Sequence, residues 1–246
     1  MKMNSLSAVI ITLNEEAHLA ACLLSVKNIA DEIIIVDSGS TDKTVEIAKK
    51  FGARIYTRKF DNYANQKNFA IEKATGDWIL SIDADEEISS GLSEEIKLAI
   101  SHQPSGISAY SMPRKNIIFG KYIKYTRWQP ELDRHIWLWK KGVGEWVGNV
   151  HEELAVTGKI GKLKNPKIHY QYKTVAEFLQ MMNSYSNLEA RRKFSIIRFI
   201  WYPIYNFVVR YFYRLGFLDG SSGFILSYLM AIYQLEVWVK TWERQK

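Results

Sequence analysis

Trp78-Ile79-Leu80-Ser81-Ile82-Asp83-Ala84-Asp85-Glu86 is the stretch on which the fold turns. Its apolar run has the length of a strand, with Gly76-Asp77 before it and carboxylates after it. It therefore reads as a buried central strand that delivers two aspartates at its carboxyl end. Open α/β sheets keep their active sites at that edge. Asp83 and Asp85, separated by the small Ala84, suit a hard divalent cation carrying a phosphorylated substrate. Mg2+ or Mn2+ takes few protein oxygens and completes its shell with phosphate and water. An isolated Asp-x-Asp is more often a solvated turn, so the neighbouring sequence has to decide.

Upstream, a strand-turn-helix pattern recurs. Leu6 to Leu13 is strand-like, and Asn14-Glu15-Glu16 opens a helix to about Val26. Glu32 to Val36 leads to Asp37, then Ser38-Gly39-Ser40-Thr41-Asp42 and a helix to about Phe51. Ala53 to Thr57 makes a third strand and Tyr63 to Ala74 a third helix; Ser89 to Ile100, capped by Ser89 or Ser93, follows the aspartates. This alternation predicts an α/β fold with a Rossmann-like, doubly wound, mainly parallel sheet. Parallel strands bring Thr12-Leu13-Asn14-Glu15, Asp37-Ser38-Gly39-Ser40 and Asp83-Ala84-Asp85 to one rim. Asp37 can accept from a base or ribose, and Ser38-Gly39 permits a tight turn with exposed backbone donors. The first strand is followed by no Gly-x-Gly-x-x-Gly, and the chain has no Walker-type Gly-Lys-Ser/Thr. Dehydrogenase and P-loop readings fall away.

Composition sets the bounds. At 246 residues and 47% hydrophobic, the chain supports one large domain, or a domain with an appendage. Its net charge of +7 points to anionic partners. The single cysteine, Cys22, excludes an intramolecular disulfide framework and a cysteine-rich zinc site, and fits a reducing compartment. With a polar start leading straight into a strand, the expectation is a cytoplasmic protein.

The motifs between Leu6 and Glu87, together with Asn65-Gln66-Lys67-Asn68, resemble family 2 glycosyltransferases of the A-type nucleotide-sugar fold. Val150-His151-Glu152 and Ile168-His169-Tyr170 resemble the bacterial subgroup that builds lipopolysaccharide core or related envelope glycans. The resemblance implies a metal-dependent, inverting hexosyltransferase that moves a sugar from a nucleotide-diphosphate donor, a UDP-sugar, to a glycan or glycolipid hydroxyl. It implies that Thr12, Asn14, Glu15 and Asp37 bind the nucleoside, that Gln66 and Lys67 approach it or the pyrophosphate, and that Asp83 lies by ribose or metal. Asp85 is then the principal ligand of a divalent Mg2+ or Mn2+, with His169 completing the shell. Glu152 is the candidate base, with Glu153 and Asp133 as rivals; the family's usual Glu-Asp pair is replaced here by His151-Glu152. Two other classes compete: a haloacid dehalogenase-type phosphatase, in which Asp83 would be the nucleophile, and a basic nucleic-acid or membrane-binding module without catalysis.

Between Glu95 and Glu131 no acidic residue occurs, while Arg114, Lys115, Lys121, Lys124 and Arg127 alternate with aromatics. A phosphorylated glycolipid suits this mixture better than nucleic acid, which is not expected as a partner. Gly142, Gly144 and Gly148 surround Trp146 in a mobile loop or a plain hairpin. Residues 1–175 read as the catalytic domain and 176–246 as a helical region. Ala190 to Leu218 carries Arg191, Arg192, Lys193, Arg198, Arg210 and Arg214, no acidic residue, and many aromatics. That composition belongs to an interfacial segment lying on an anionic membrane at the inner face of the cell membrane, or to a homo-oligomerisation surface. Pro203 should kink or divide it. The later run Gly220 to Leu235 falls short of the roughly 20 residues that span a bilayer.

Overall fold

The computed structural model describes residues 4–102, 106–148, 152–190 and 193–246, which form two compact units. The first takes residues 1–114 and 134–169, the second 115–133 and 170–246. This division differs from a cut at residue 175 in two segments, 115–133 and 170–175, which both join the helices.

In the first unit the chain runs β1 (Leu6–Thr12), α1 (Leu19–Val26), β2 (Glu32–Asp37), α2 (Thr44–Lys50), β3 (Arg54–Thr57), α3 (Tyr63–Lys73) and β4 (Trp78–Ser81). It continues through β5 (Glu86–Ile88), α4 (Ser90–His102) and β6 (Ile107–Ile118), whose last residues enter the second unit with β7 (Lys121–Tyr122). On return it forms β8 (Arg134–Lys140), a hairpin of β9 (Gly144–Val147) and β10 (Glu153–Val156), β11 (Lys159–Lys162) and β12 (Lys167–Tyr170). Strands β3, β2, β1 and β4 are parallel neighbours in that order, as the strand-helix alternation requires. Beyond β4 the sheet turns antiparallel through β8 and β6, so it is mixed. The apolar runs of β1, β2 and β4 are buried on both faces; Ile10, Ile34 and Ile79 are wholly enclosed, each worth roughly 1.5–3 kcal/mol. Asn62 caps α3 by accepting from the Asn65 amide at 2.8 Å.

One helix starts later than its sequence suggests. Asn14 adopts a left-handed φ of 56°, which no helical residue can, and the amides of Glu15 and Glu16 are taken by Thr44 and Asp42 at 2.7 and 3.1 Å. Residues 14–18 are therefore turns, and α1 begins at Leu19.

The second unit is helical: α5 (Val175–Glu189), α6 (Ile196–Val208), a π-helical turn (Val209–Tyr213), a 3-10 turn (Gly216–Asp219) and α7 (Gly220–Glu243). Its core joins Ile118 and Ile123 to Phe178, Met182, Leu226 and Val237. The 115–133 segment is tied in by the Lys124 and Tyr125 amides, which donate to Asp219 at 3.1 and 2.8 Å, and by Arg210, which donates to the Thr126 carbonyl at 2.8 Å. Two sequence expectations change here. Helix α6 is not divided at Pro203, and the helical run is broken at Leu215, whose φ is 57°. The run Gly220–Leu235 is part of a longer helix, α7, which continues to Glu243 past the Glu236–Lys240 pair, one turn apart at 2.6 Å. The helical stretch Gly216–Glu243, 28 residues containing an 18-residue window with a mean hydropathy of 1.3, is long and apolar enough to cross a membrane by length and composition alone.

Candidate active site

Register fixes the rim. Thr12 pairs with Asp37 and Asp37 with Thr57, so β1 and β2 end level, while the amide of Ile82 still bonds the Val9 carbonyl at 3.2 Å before the chain leaves the sheet. Asp37 is 2% exposed, and its carboxylate organises the turn after β2. One oxygen accepts from the Thr12 and Ser40 hydroxyls, the other from the Gly39 and Ser40 amides at 2.9 Å each. Gly39 permits this loop with a φ of 98°. Asn14 locks the neighbouring turn, donating its amide to Ser40 at 2.9 Å and accepting from the Thr41 amide at 2.8 Å. Gln66, fully buried on α3, accepts from Arg58 at 2.6 Å and donates to Ser38 at 3.0 Å. Burial, with Asp85 adding repulsion, raises the Glu15 carboxyl despite its 3.1 Å contact with His18.

Lys67 stands at the centre. Its ammonium lies 3.2 Å from Asp83, 3.1 Å from Glu152 and 4.5 Å from the centroid of Trp146, with only 5% of the residue exposed. Burial alone would lower its pKa, but Asp83 and Glu152 outweigh it and hold the pKa above the usual 10.5. Burial likewise opposes ionisation of Asp83, yet Lys67, then Lys167 and Arg114, keep that carboxyl well below the usual range.

Asp85 faces His169, oxygen to Nε2, at 3.2 Å. β12 delivers the histidine by pairing antiparallel with β5, His169 opposite Glu86. Among the described residues, no three of His, Cys, Asp and Glu converge tightly enough to hold an ion unaided. The structure thus brings Asp85 and His169 together and turns Asp83 toward Lys67. One carboxylate oxygen beside one imidazole nitrogen is still a donor set that a divalent ion accepts when phosphate and water fill the rest of its shell.

Three residues at the site, Glu86, Lys167 and Asn68, were given no role by the sequence. Glu86 is fully buried: it accepts from the Asp83 amide at 2.8 Å and from Lys167 at 2.5 Å, with Arg114 at 3.6 Å. It anchors the aspartate loop. Lys167 packs 3.5 Å from the Trp137 ring, and burial draws its pKa down despite Glu86. Asn68 grips Trp146 on β9 with two 2.9 Å bonds, donating to its carbonyl and accepting from its amide. Glu86 and Lys167 each adjoin a motif and Asn68 lies in one, but their contacts come from residues distant in the chain. The Trp146 segment is thus a hairpin strand. A cavity of about 620 Å³ beside it is lined by Asn68, Glu72, Lys141, Glu145 and Thr157, away from the aspartates. Of the candidate bases, Glu152 reaches the site, Glu153 is exposed on β10, and Asp133 belongs to the second unit, where Asn116 donates to it at 2.7 Å. Val150 and His151 lie outside the described residues.

The chain is 34% identical to an uncharacterized glycosyltransferase of Rickettsia typhi over 93% of its length and 84% of that protein's. It is 31% identical to the lipopolysaccharide core biosynthesis glycosyltransferase LpsC of Rhizobium meliloti, over 97% of this chain and 92% of that one. A crystal structure of glucosyl-3-phosphoglycerate synthase from Mycobacterium tuberculosis, in complex with Mn2+, UDP and glucosyl-3-phosphoglycerate, matches 47% of this chain and 44% of its own at 23% identity, with a TM-score of 0.38. The phosphatase and nucleic-acid readings give way to these relatives. The model of Glycosyl transferase family 2 matches residues 7–156, the stretch that supplies the rim, both aspartates, Lys67 and Glu152, and the chain belongs to that family as a glycosyltransferase.

Proposed function

We propose that the protein transfers a sugar from a UDP-sugar, with inversion, to a hydroxyl of a lipopolysaccharide core or other envelope glycan, assisted by a divalent metal. The observation that carries this reading is Lys67, a buried ammonium between Asp83 and Glu152 beside the Asp85–His169 pair. Thr12, Asn14, Glu15 and Asp37 shape the nucleoside end of the rim, with Gln66 holding Ser38 in place. Asp85 and His169, with Asp83 beside them, would hold the Mg2+ or Mn2+. A bound cation supplies Lewis-acid stabilisation to the departing diphosphate. Lys67 gives the same phosphates a fixed positive charge where negative charge builds up, which favours the transition state over the ground state. Glu152, on the other side of Lys67, takes the acceptor proton. The family match and the likeness to LpsC along nearly the whole chain support the envelope-glycan acceptor.

A panel of nucleotide sugars with Mn2+ or Mg2+, read by thermal shift and donor hydrolysis, tests the proposal. The expected result is a UDP-dependent rise in Tm that needs metal, disappears with chelator and is lost in Asp85→Ala, with turnover falling by orders of magnitude. Full transfer activity in EDTA would overturn the metal assignment.

A further inference from the structure

The second unit presents its greasy sides outward. None of the 13 residues of α6 is buried, and its exposed stripe, Ile197, Ile200, Trp201, Ile204, Tyr205 and Val208, follows helical spacing. Ile197 is 67% exposed, Trp201 61% and Tyr205 63%. A helix covering a core in water shows the opposite pattern, polar residues out and apolar in. Helix α7 repeats the inversion: one side fills the unit's core, while Phe224, Ile225, Tyr228, Ile232 and Leu235 are exposed. Contiguous apolar surface on this scale marks a face that meets something other than water.

Charge indicates what that is. The first unit holds 19 Lys and Arg against 19 Asp and Glu, the second 14 against 7, so the chain's entire excess of +7 lies on the unit with the apolar face. Exposed basic side chains there include Lys121, Lys124, Arg127, Lys193 and Arg198. Arg210 is not among them: it is 7% exposed, committed to the Thr126 carbonyl and stacked 5.3 Å from Trp128.

From these observations we propose that α6 and the outward side of α7 form a docking surface for an anionic lipid bilayer. α6 lies in the plane of the interface, and its aromatic rings enter at headgroup depth. A bilayer offers apolar depth beneath a negative surface, which matches both features at once. A second copy would set one +7 unit against another. At roughly 20 Å, α6 is too short to span a core of about 30 Å. α7 has the length, but its inner side already packs on Phe178 and Met182.

The test is flotation of the full chain with phosphatidylcholine vesicles, with and without phosphatidylglycerol. Binding should require the anionic lipid, weaken severalfold in high salt and be released by alkaline carbonate. Ile197→Glu/Trp201→Glu should cut the bound fraction at least about tenfold while donor hydrolysis and circular dichroism stay unchanged. Should that variant misfold, Lys121→Glu/Lys124→Glu leaves the helices untouched and should weaken binding in low salt but not in high salt. Absence of vesicle binding at any salt, with a doubled sedimented mass, would assign the face to a second copy. Carbonate-resistant binding would mean that α7 crosses the bilayer. Either result overturns the proposal.

Discussion

Lys67 holds two carboxylates by a single ammonium, and its removal therefore does more than delete a charge. Lys67→Met leaves Asp83 and Glu152 facing each other across a mostly closed pocket. Because a third of the Asp83 side chain stays open to water, the expected loss is about 2 kcal/mol, below the 3–5 of a sealed pair. Urea unfolding against pH checks the sign. Asp83 is depressed in the folded state, so its contribution is present above pH 3.8, its ordinary value, and is lost as pH falls through the folded value. Lys67 is raised, so its share is complete below pH 10.5 and lost as pH rises through the folded value. The wild type should therefore exceed Lys67→Met most clearly near neutral pH, where both carboxylates are ionised and Lys67 is charged, and the margin should shrink toward acid and above pH 10.5. Glu152→Gln keeps size and hydrogen bonding but cannot take a proton; transfer should fall about 100-fold or more with donor affinity little changed, while Glu153→Gln stays near wild type. These carboxylates were legible because strand ends and family motifs mark them. Glu86 was not, because burial with Lys167 comes from β12, eighty residues away, and adjacency to Asp85 made it look like one more solvated acid.

At the scale of elements, the Asn68 side chain hydrogen-bonds β9 of the β9–β10 hairpin to α3. Asn68→Ala removes both bonds to Trp146 and should cost about 2 kcal/mol, with amide exchange quickening across Gly144–Val147 while β1 and β2 keep their protection. Asn68→Asp retains the acceptor for the Trp146 amide and should recover part of the loss. Gly144→Ala tests the same packing from the other side, since its new Cβ would fall 2.8 Å from the Trp139 ring, and should destabilise by about 1–3 kcal/mol. Sequence periodicity located the first four strands to within a residue or so. It could not locate the start of α1, which depends on Thr44 and Asp42 reaching back across the rim, and an apolar run measured to Leu235 understated the length of α7, which continues past the Glu236–Lys240 pair.

Across the whole molecule, charge and grease are partitioned. A neutral catalytic unit and a +7 unit with an outward apolar face are joined through segments at 114–115, 133–134 and 169–170. The sequence showed the net charge and the aromatic-rich tail but not that residues 115–133 belong with that tail, because the partners of this segment, Asp219 and Arg210, lie some ninety residues downstream. Without lipid or detergent, the chain should associate more strongly as concentration rises and return to a 28.6 kDa species in mild detergent, measured by light scattering.

Cys22 gives the molecule a built-in clock. The only thiol in the chain is fully buried on α1, 3.5 Å from the carbonyl of Asp83, and burial, with Glu86, Asp85 and Asp83 nearby, pushes its pKa well above the ordinary value. A maleimide can therefore reach it only when α1 lifts from the aspartate loop. Labelling is silent in the native state, and each adduct counts one opening beneath the catalytic rim. The rate at which a single mass increment accumulates, with and without UDP and Mn2+, would report how firmly a donor closes that floor.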